Sequence, residues 1–309
     1  MSRAVRAAGI PFLLFTVGLG SSRDASAIIT RHDVDDSEYV VDDGDYPALV
    51  DLFEPGDCLG TLIHESYLLT VAHCAEDMRA SQTLQVGDHS VGITDIIEHP
   101  DYNGWKYDIA LIQLDEPVTD VTPYPLYRDT DEEGQTLILL GRGVHGTGIE
   151  GEPGATDDAK LRRATNVVTW ATAQWIEVNF EEPGGDGITD MEGVGASGDS
   201  GGPAFIETED GLAIAGLNSW GDSTPPIEIG QYGAQDYSTR VSQYLDWIDS
   251  EAGTSADGSS GTGGGDESTD DGKTAAGCGC TSSPAPVGWL ALCVLPLVLL
   301  RRGAQTPHR

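Results

Sequence analysis

Residues 193–203 read GVGASGDSGGP, five glycines crowded around Asp199 and Ser200. A serine hydroxyl becomes a useful nucleophile only beside a general base. The oxygen that gains charge must also face backbone N–H groups. Glycine serves both needs, because it lets a substrate backbone approach closely and tolerates positive φ. A flexible linker would show the same composition, but linkers stay low in complexity for tens of residues. Here AFIETEDGLAIAGLNSW follows at once with strand-like apolar runs, which puts Ser200 inside folded structure. Such a serine calls for an imidazole base and a carboxylate to orient it. His73 stands in LLTVAHC, and Asp108 opens the apolar run of YDIALIQL, where partial burial suits a carboxylate that fixes a histidine tautomer. With 7 histidines and 51 acidic residues in the chain, either residue alone is a weak signal. The order His73, Asp108, Ser200, each in its own strand context, is far more specific.

The elements that must position these groups are strands. Short apolar runs such as YPALVDLF, GTLIHESYLLTVAH, IALIQL, QTLILLGRG and LAIAGLNSW alternate with Gly, Asp and Pro breaks at spacings near ten residues. That pattern predicts an all-β sandwich or barrel. The segment STRVSQYLDWIDS places Val241, Tyr244, Leu245 and Ile248 at helical spacing and predicts a closing amphipathic helix. Of the five cysteines only Cys58 and Cys74 fall in this body, so the fold needs a hydrophobic core rather than a disulfide scaffold. A Cys58–Cys74 disulfide would brace the strand and loop that present His73.

The ends differ from the body. Residues 1–27 place Arg3 and Arg6 before an apolar run and end in ASA, the pattern of a secretory signal peptide cut after Ala27; a membrane anchor is the alternative. Residues 28–250 form the folded domain. Residues 251–277 read as a disordered Gly/Ser/Asp linker. Residues 278–309 hold Cys278 and Cys280, a short apolar run with Cys293, and the pair Arg301–Arg302. This tail resembles the MYXO-CTERM class of bacterial C-terminal sorting signals. The resemblance implies processing or lipidation at Cys278 or Cys280 and attachment to the membrane or cell surface. A permanent membrane tail is the alternative. The chain would then be exported, to the cell surface or the medium. Its formal net charge of −35 is carried essentially by residues 28–250, where 44 Asp and Glu face 9 Lys and Arg. Nucleic acid is excluded as a partner, since phosphate binding needs clustered basic residues. The charge reads either as a solubility adaptation or as a field that attracts cationic substrates.

The motifs TVAHC, EHPDY, DIALIQL, GDSGGP, LNSWG and STRVSQYLDWI, in that order, make the body resemble the trypsin/chymotrypsin-like serine proteases, family S1. The resemblance implies two packed six-stranded antiparallel β-barrels with a C-terminal helix, divided near residues 115–126. It implies a serine endopeptidase acting on peptides or proteins through an acyl-enzyme. His73, Asp108 and Ser200 would be the triad, and the Gly198 and Ser200 N–H groups the oxyanion hole. An Ile28 α-ammonium would pair with Asp199, and Val194, Ser219, Trp220, Gly221 and Asp236 would bind substrate.

The chain departs from that family at three points. Ala196 replaces a cysteine of the disulfide that usually braces the specificity pocket. Val194 stands where trypsins carry an aspartate, which argues for an apolar P1 residue. Asp236 stands on the opposite pocket wall, where an acid could receive a basic one, unless a one-residue slip turns it to solvent. Thr30 and Arg31 replace the two glycines usual after the new N-terminus. No cofactor and no metal site are expected, since the segment after Cys74 is too short for the family's calcium loop. A surface adhesin of minor catalytic activity, built on the same fold, is the alternative function.

Overall fold

The computed structural model describes residues 28–156 and 158–254, so the readings made for residues 1–27 and for the tail beyond 254 lie outside the described residues. A two-residue strand, β1 (Ile29–Thr30), comes first, followed by a single helical turn, α1 (Asp36–Tyr39). Six strands then form one antiparallel sheet: β2 (Leu49–Asp51), β3 (Leu59–His64), β4 (Tyr67–Thr70), β5 (Thr83–Val86), β6 (His89–Glu98) and β7 (Ala110–Leu114), in the order β2-β3-β4-β7-β6-β5. A second turn of helix, α2 (Ala72–Ala75), sits between β4 and β5. The outer strands of this sheet approach each other, so it is a nearly closed barrel.

The second half begins with β8 (Thr136–Gly141), β9 (Gly146–Thr147), β10 (Arg162–Ala171) and β11 (Trp175–Asn179). It continues with β12 (Gly193–Val194), β13 (Pro203–Thr208), β14 (Gly211–Asp222) and β15 (Gln235–Arg240). Six of these close a barrel in the order β10-β11-β15-β14-β13-β8, while β12, β1 and β9 make a small separate sheet. The expected pair of six-stranded barrels is therefore the architecture observed. Alternation drives it: along the first seven residues of β10 every second side chain is buried, so one face enters the core and the other does not. Where strands are covered on both faces the alternation disappears, as in β8, whose Leu137–Gly141 segment is buried throughout.

The closing helix is shorter than the periodicity predicts. Ser238, Thr239 and Arg240 belong to β15, and helix α3 runs Leu245–Ala252 after a 3-10 turn over Val241–Gln243. Strand pairing with β14 and β11 claims the first three residues, because an unpaired Ser238–Arg240 segment would open the barrel. The apolar residues still face inward: Val241, Tyr244 and Ile248 are all buried.

Two buried arginines tie distant segments to the second barrel. Arg162 is fully buried and bonds both Asp36 and Asp158 through pairs of N–H groups. Arg240 Nε donates to Glu132 Oε1 at 2.9 Å, and Glu132 is itself fully buried. Removing one partner of a buried pair leaves the other charge uncompensated. Glu132→Ala should therefore destabilise the domain by about 3–5 kcal/mol in urea unfolding, whereas a surface carboxylate such as Glu209 should contribute little.

Candidate active site

The chemistry-bearing residues collect where the barrels meet. His73 lies on α2, directly before Cys74, whose disulfide to Cys58 ties α2 to the start of β3. Asp108 precedes β7 and is buried, 3% exposed. Tyr107, the residue before it, holds φ of 58° and turns the chain into the strand. Asp108 Oδ1 accepts the His73 backbone N–H at 2.9 Å, and Oδ2 lies 2.8 Å from His73 Nδ1. One carboxylate thus holds both the backbone and the ring of the same histidine, which fixes the ring and leaves Nε2 as the basic nitrogen.

A third donor to Asp108 comes from the other barrel. The register of β14 against β15 shifts between Asn218 and Trp220, so Ser219 is an extra, bulged residue. A bulge re-aims its side chain, and Ser219 Oγ donates to Asp108 Oδ2 at 2.6 Å. Thr239 Oγ1 adds a bond to the Asp108 carbonyl at 2.8 Å. Burial pushes the Asp108 carboxyl up, but the bonds from His73 and Ser219 outweigh it and hold the group below its ordinary value. Sequence reading assigned Ser219 to substrate; the bulge that directs it to Asp108 carries no local signature.

Ser200 follows a turn built on glycine. Gly198 has φ of 94°, and a Cβ there would lie 2.2 Å from the Gly56 carbonyl oxygen, so no other residue fits without rearrangement. The turn is clamped to the first barrel: Cys58 N–H donates to Gly198 O at 3.1 Å, and Leu59 N–H to Ser200 O at 2.8 Å. Among the described residues neither the Gly198 nor the Ser200 N–H has an acceptor. Between them Asp199 is fully buried and accepts three N–H groups: Ile28 at 2.9 Å, Gly143 at 2.6 Å and Ala196 at 2.9 Å. Burial still dominates and lifts its pKa to about 6.

Two adjoining cavities border this turn. One, of about 170 Å³, is lined by Ser200, Gly195, Asn218, Ser219, Trp220 and Asp236, with Glu152 at the same cavity. The other, of about 240 Å³, is lined by His73, Asp108, Trp105, Ser219 and Trp220. Trp220 stacks on Tyr237 with ring centres 4.0 Å apart, and Trp105 and Trp175 meet it edge-on. Gly221 completes the first wall.

Asp236 lies inward rather than toward solvent. It is 7% exposed, and its Oδ2 accepts the Gly195 N–H at 3.0 Å. Burial, with Asp199 and Glu152 nearby, raises its pKa to about 7. Val194 does not line this cavity: it pairs with Ile29 across β12 and β1 and packs in the core with Ile28. Gly195, Ser197, Asn218, Ile229 and Glu152 also border this cavity without having been singled out from sequence; Asn218 stands in the LNSWG motif, whereas nothing around Glu152 distinguishes it.

Among the described residues two clusters have metal-ligand chemistry. Cys58, His73 and Cys74 lie together, but both sulfurs are spent in the disulfide. Asp36, His145 and Asp158 also converge, but Arg162 already neutralises both carboxylates.

Residues 37–248 match the family model described as Trypsin. Tryptase from Mus musculus is 29% identical over 220 residues, covering 62% of this chain and 77% of that one. Beta-fibrinogenase brevinase from Gloydius blomhoffii is 29% identical over 218 residues, covering 62% and 84%.

Deleting the Ser219 hydroxyl removes one charge-assisted bond to Asp108, of the order of 1.5–3 kcal/mol. In Ser219→Ala the Asp108 carboxyl should titrate at least about one pH unit higher, read by carboxyl-carbon NMR. An unchanged titration would remove Ser219 from the network.

Proposed function

This chain belongs to the Trypsin family and is a serine endopeptidase acting on peptide or protein substrates, and on that premise we propose how its residues divide the work. Ser200 Oγ adds to the scissile carbonyl carbon while its proton passes to His73 Nε2. The carbonyl electron pair moves onto oxygen, where the Gly198 and Ser200 N–H groups stabilise it; one such donor contributes about 3–4 kcal/mol in related chemistry. Collapse expels the amine, which takes the proton from His73, and leaves an acyl group on Ser200. Water, deprotonated by His73, then releases the acid. Asp108 orients the imidazole throughout and stabilises its cationic form. The observation that carries this reading is the grip of a buried Asp108 on His73 Nδ1, in a cleft that Ser200 borders.

Activation follows from Asp199. Its carboxylate is fully buried, and the Ile28 nitrogen stands 2.9 Å from it. A cut after Ala27 by signal peptidase converts that nitrogen into an α-ammonium and gives the buried charge a cationic partner. Export therefore switches the enzyme on without cleavage after a basic residue. The sequence pattern ends the domain at residue 250, but helix α3 carries it through Ala252 and Thr254 is tied to Asp249 and Arg128, so the linker read as 251–277 begins after residue 254 and leads to a sorting tail over 278–309. That tail is processed near Cys278 and Cys280 and leaves the protease at the cell surface or in the medium.

For specificity, the buried carboxyl of Asp236 at the cavity beside Ser200 favours a basic P1 residue. Val194, buried in the core, is not part of this pocket, and Ser219, Trp220 and Gly221 line the path of the substrate.

Two experiments follow. A fluorophosphonate should label the exported protein at Ser200, and the labelled chain should begin at Ile28. Ser200→Ala, His73→Ala and Asp108→Asn should each lower amide hydrolysis by orders of magnitude. Undiminished turnover by Ser200→Ala would show that the triad is misassigned; a different N-terminus would refute activation by export. Second, Asp236 carries its charge only above about pH 7. The ratio of kcat/KM for Arg over Leu at P1 should rise with pH through that value, because taking a ratio cancels the titration of His73. In Asp236→Ser the ratio should be low and flat with pH. Equal loss on Arg and Leu substrates would remove Asp236 from the pocket.

A further inference from the structure

The family usually braces the rim of this pocket with a disulfide, and Ala196 stands at one of its positions here. Among the described residues the two cysteines are joined to each other in the first barrel. The rim is held by carboxylates instead. Three successive backbone N–H groups each donate to a different acid: Gly195 to Asp236 at 3.0 Å, Ala196 to Asp199 at 2.9 Å and Ser197 to Glu152 at 2.8 Å. The acids come from β15, from the turn before Ser200, and from the 3-10 turn Glu152–Gly154.

Glu152 grips twice, since its second oxygen accepts Ser197 Oγ at 3.1 Å. Two bonds from one carboxylate fix the orientation of Ser197 as well as its distance. The turn that carries Glu152 is anchored in its own right: Glu152 N–H donates to Ile229 O at 3.0 Å, and the neighbouring segment returns a bond from Val144 N–H to Ser197 O at 2.7 Å. The residue after Ser197 is Gly198, whose N–H has no acceptor among the described residues. Glu152 also lines the cavity shared by Asp236 and Ser200, and among the described residues no Lys, Arg or His lines that cavity.

We propose that Glu152 is a positioning residue for the reaction and a specificity residue for P1: its clasp on Ser197 holds the Gly198 N–H where the oxyanion forms, and its charge at the cavity draws a cationic P1 side chain. The clasp takes the place of the missing disulfide. This proposal rests on the protease reading above. A hydrogen-bond donor stabilises developing charge only if it is held in place beforehand, and a rim residue as exposed as Ser197 has little packing to hold it. The three acids also crowd one another, since Glu152 helps to raise the pKa of both Asp199 and Asp236. An α-ammonium at Ile28 relieves one of these charges, and a basic P1 side chain relieves the others.

The test compares full-length exported wild type, Glu152→Gln and Glu152→Ala on peptide amides with Arg or Leu at P1, with active sites counted by fluorophosphonate. In Glu152→Ala kcat should fall about tenfold on both substrates, part of the value of one oxyanion donor, with the thermal midpoint within a few degrees of wild type. Glu152→Gln keeps an oxygen that accepts the Ser197 N–H, so kcat should recover on Leu, while KM for Arg stays raised severalfold through the lost charge. Wild-type kcat in Glu152→Ala on both substrates would overturn the clasp, as would Glu152→Gln no faster than Glu152→Ala on Leu. An unchanged KM for Arg in Glu152→Gln would overturn the specificity role. If Glu152→Ala does not fold, Ser197→Ala, which loses only the Oγ grip, should still lower kcat severalfold on both substrates; unchanged kcat would again overturn the clasp. Failure of wild type to react with the fluorophosphonate would instead sink the protease reading.

Discussion

A single buried carboxylate organises this molecule. Asp199 has no exposed surface, and its two oxygens collect N–H groups from Ile28, from Gly143 after β8, and from Ala196 at the pocket rim. Taking a charge out of water is costly, and hydrogen bonds to neutral amides recover only part of that cost. The residual penalty shows in a pKa pushed up to about 6. The space for this group is set by glycine: a Cβ at Gly141 would lie 2.0 Å from Asp199 Oδ1. Whatever occupies the Ile28 nitrogen position therefore acts on the turn that leads directly into Ser200.

The same economy of charge extends over the domain. Of the few basic side chains, Arg31, Arg128, Arg142, Lys160, Arg162 and Arg240 are engaged with acids of this chain. Cations are thus used as ties, and the remaining acids give the surface and the cavity beside Ser200 a negative field. A negative field of this kind attracts cations and carries a cost in self-repulsion that salt would relieve.

Local strain and local bonding divide the candidate site between the two barrels. The first barrel supplies His73 and Asp108, with the disulfide and the φ of 58° at Tyr107 setting their approach. The second supplies Ser200, the Ser219 bulge and the Thr239 hydroxyl. Asp108 receives donors from both, so its hydrogen bonds also report how the barrels are docked. A network shared in this way loses more than one bond when any member shifts.

Local pattern was enough to determine the class of fold and the neighbourhoods of the chemistry. Alternating burial in strands such as β10 has a period of two, and a glycine turn such as GDSGGP has a backbone requirement that its own residues express. The same kind of evidence overextended the closing helix, because a helical spacing at Val241, Tyr244 and Ile248 cannot reveal that Ser238–Arg240 are claimed by partners in β14 and β11. Sequence could also name Asp236 as a candidate while leaving open whether it faced the pocket or solvent; one register of β15 against β14 decided that. It could not single out Glu152 among 51 acidic residues, nor direct Ser219 to Asp108, nor bury Arg162 between Asp36 and Asp158. Those contacts join residues 45, 111 and 126 positions apart. A hydrogen bond is made or lost within a few tenths of an ångström, and only closure of the barrels brings such distant segments within that tolerance.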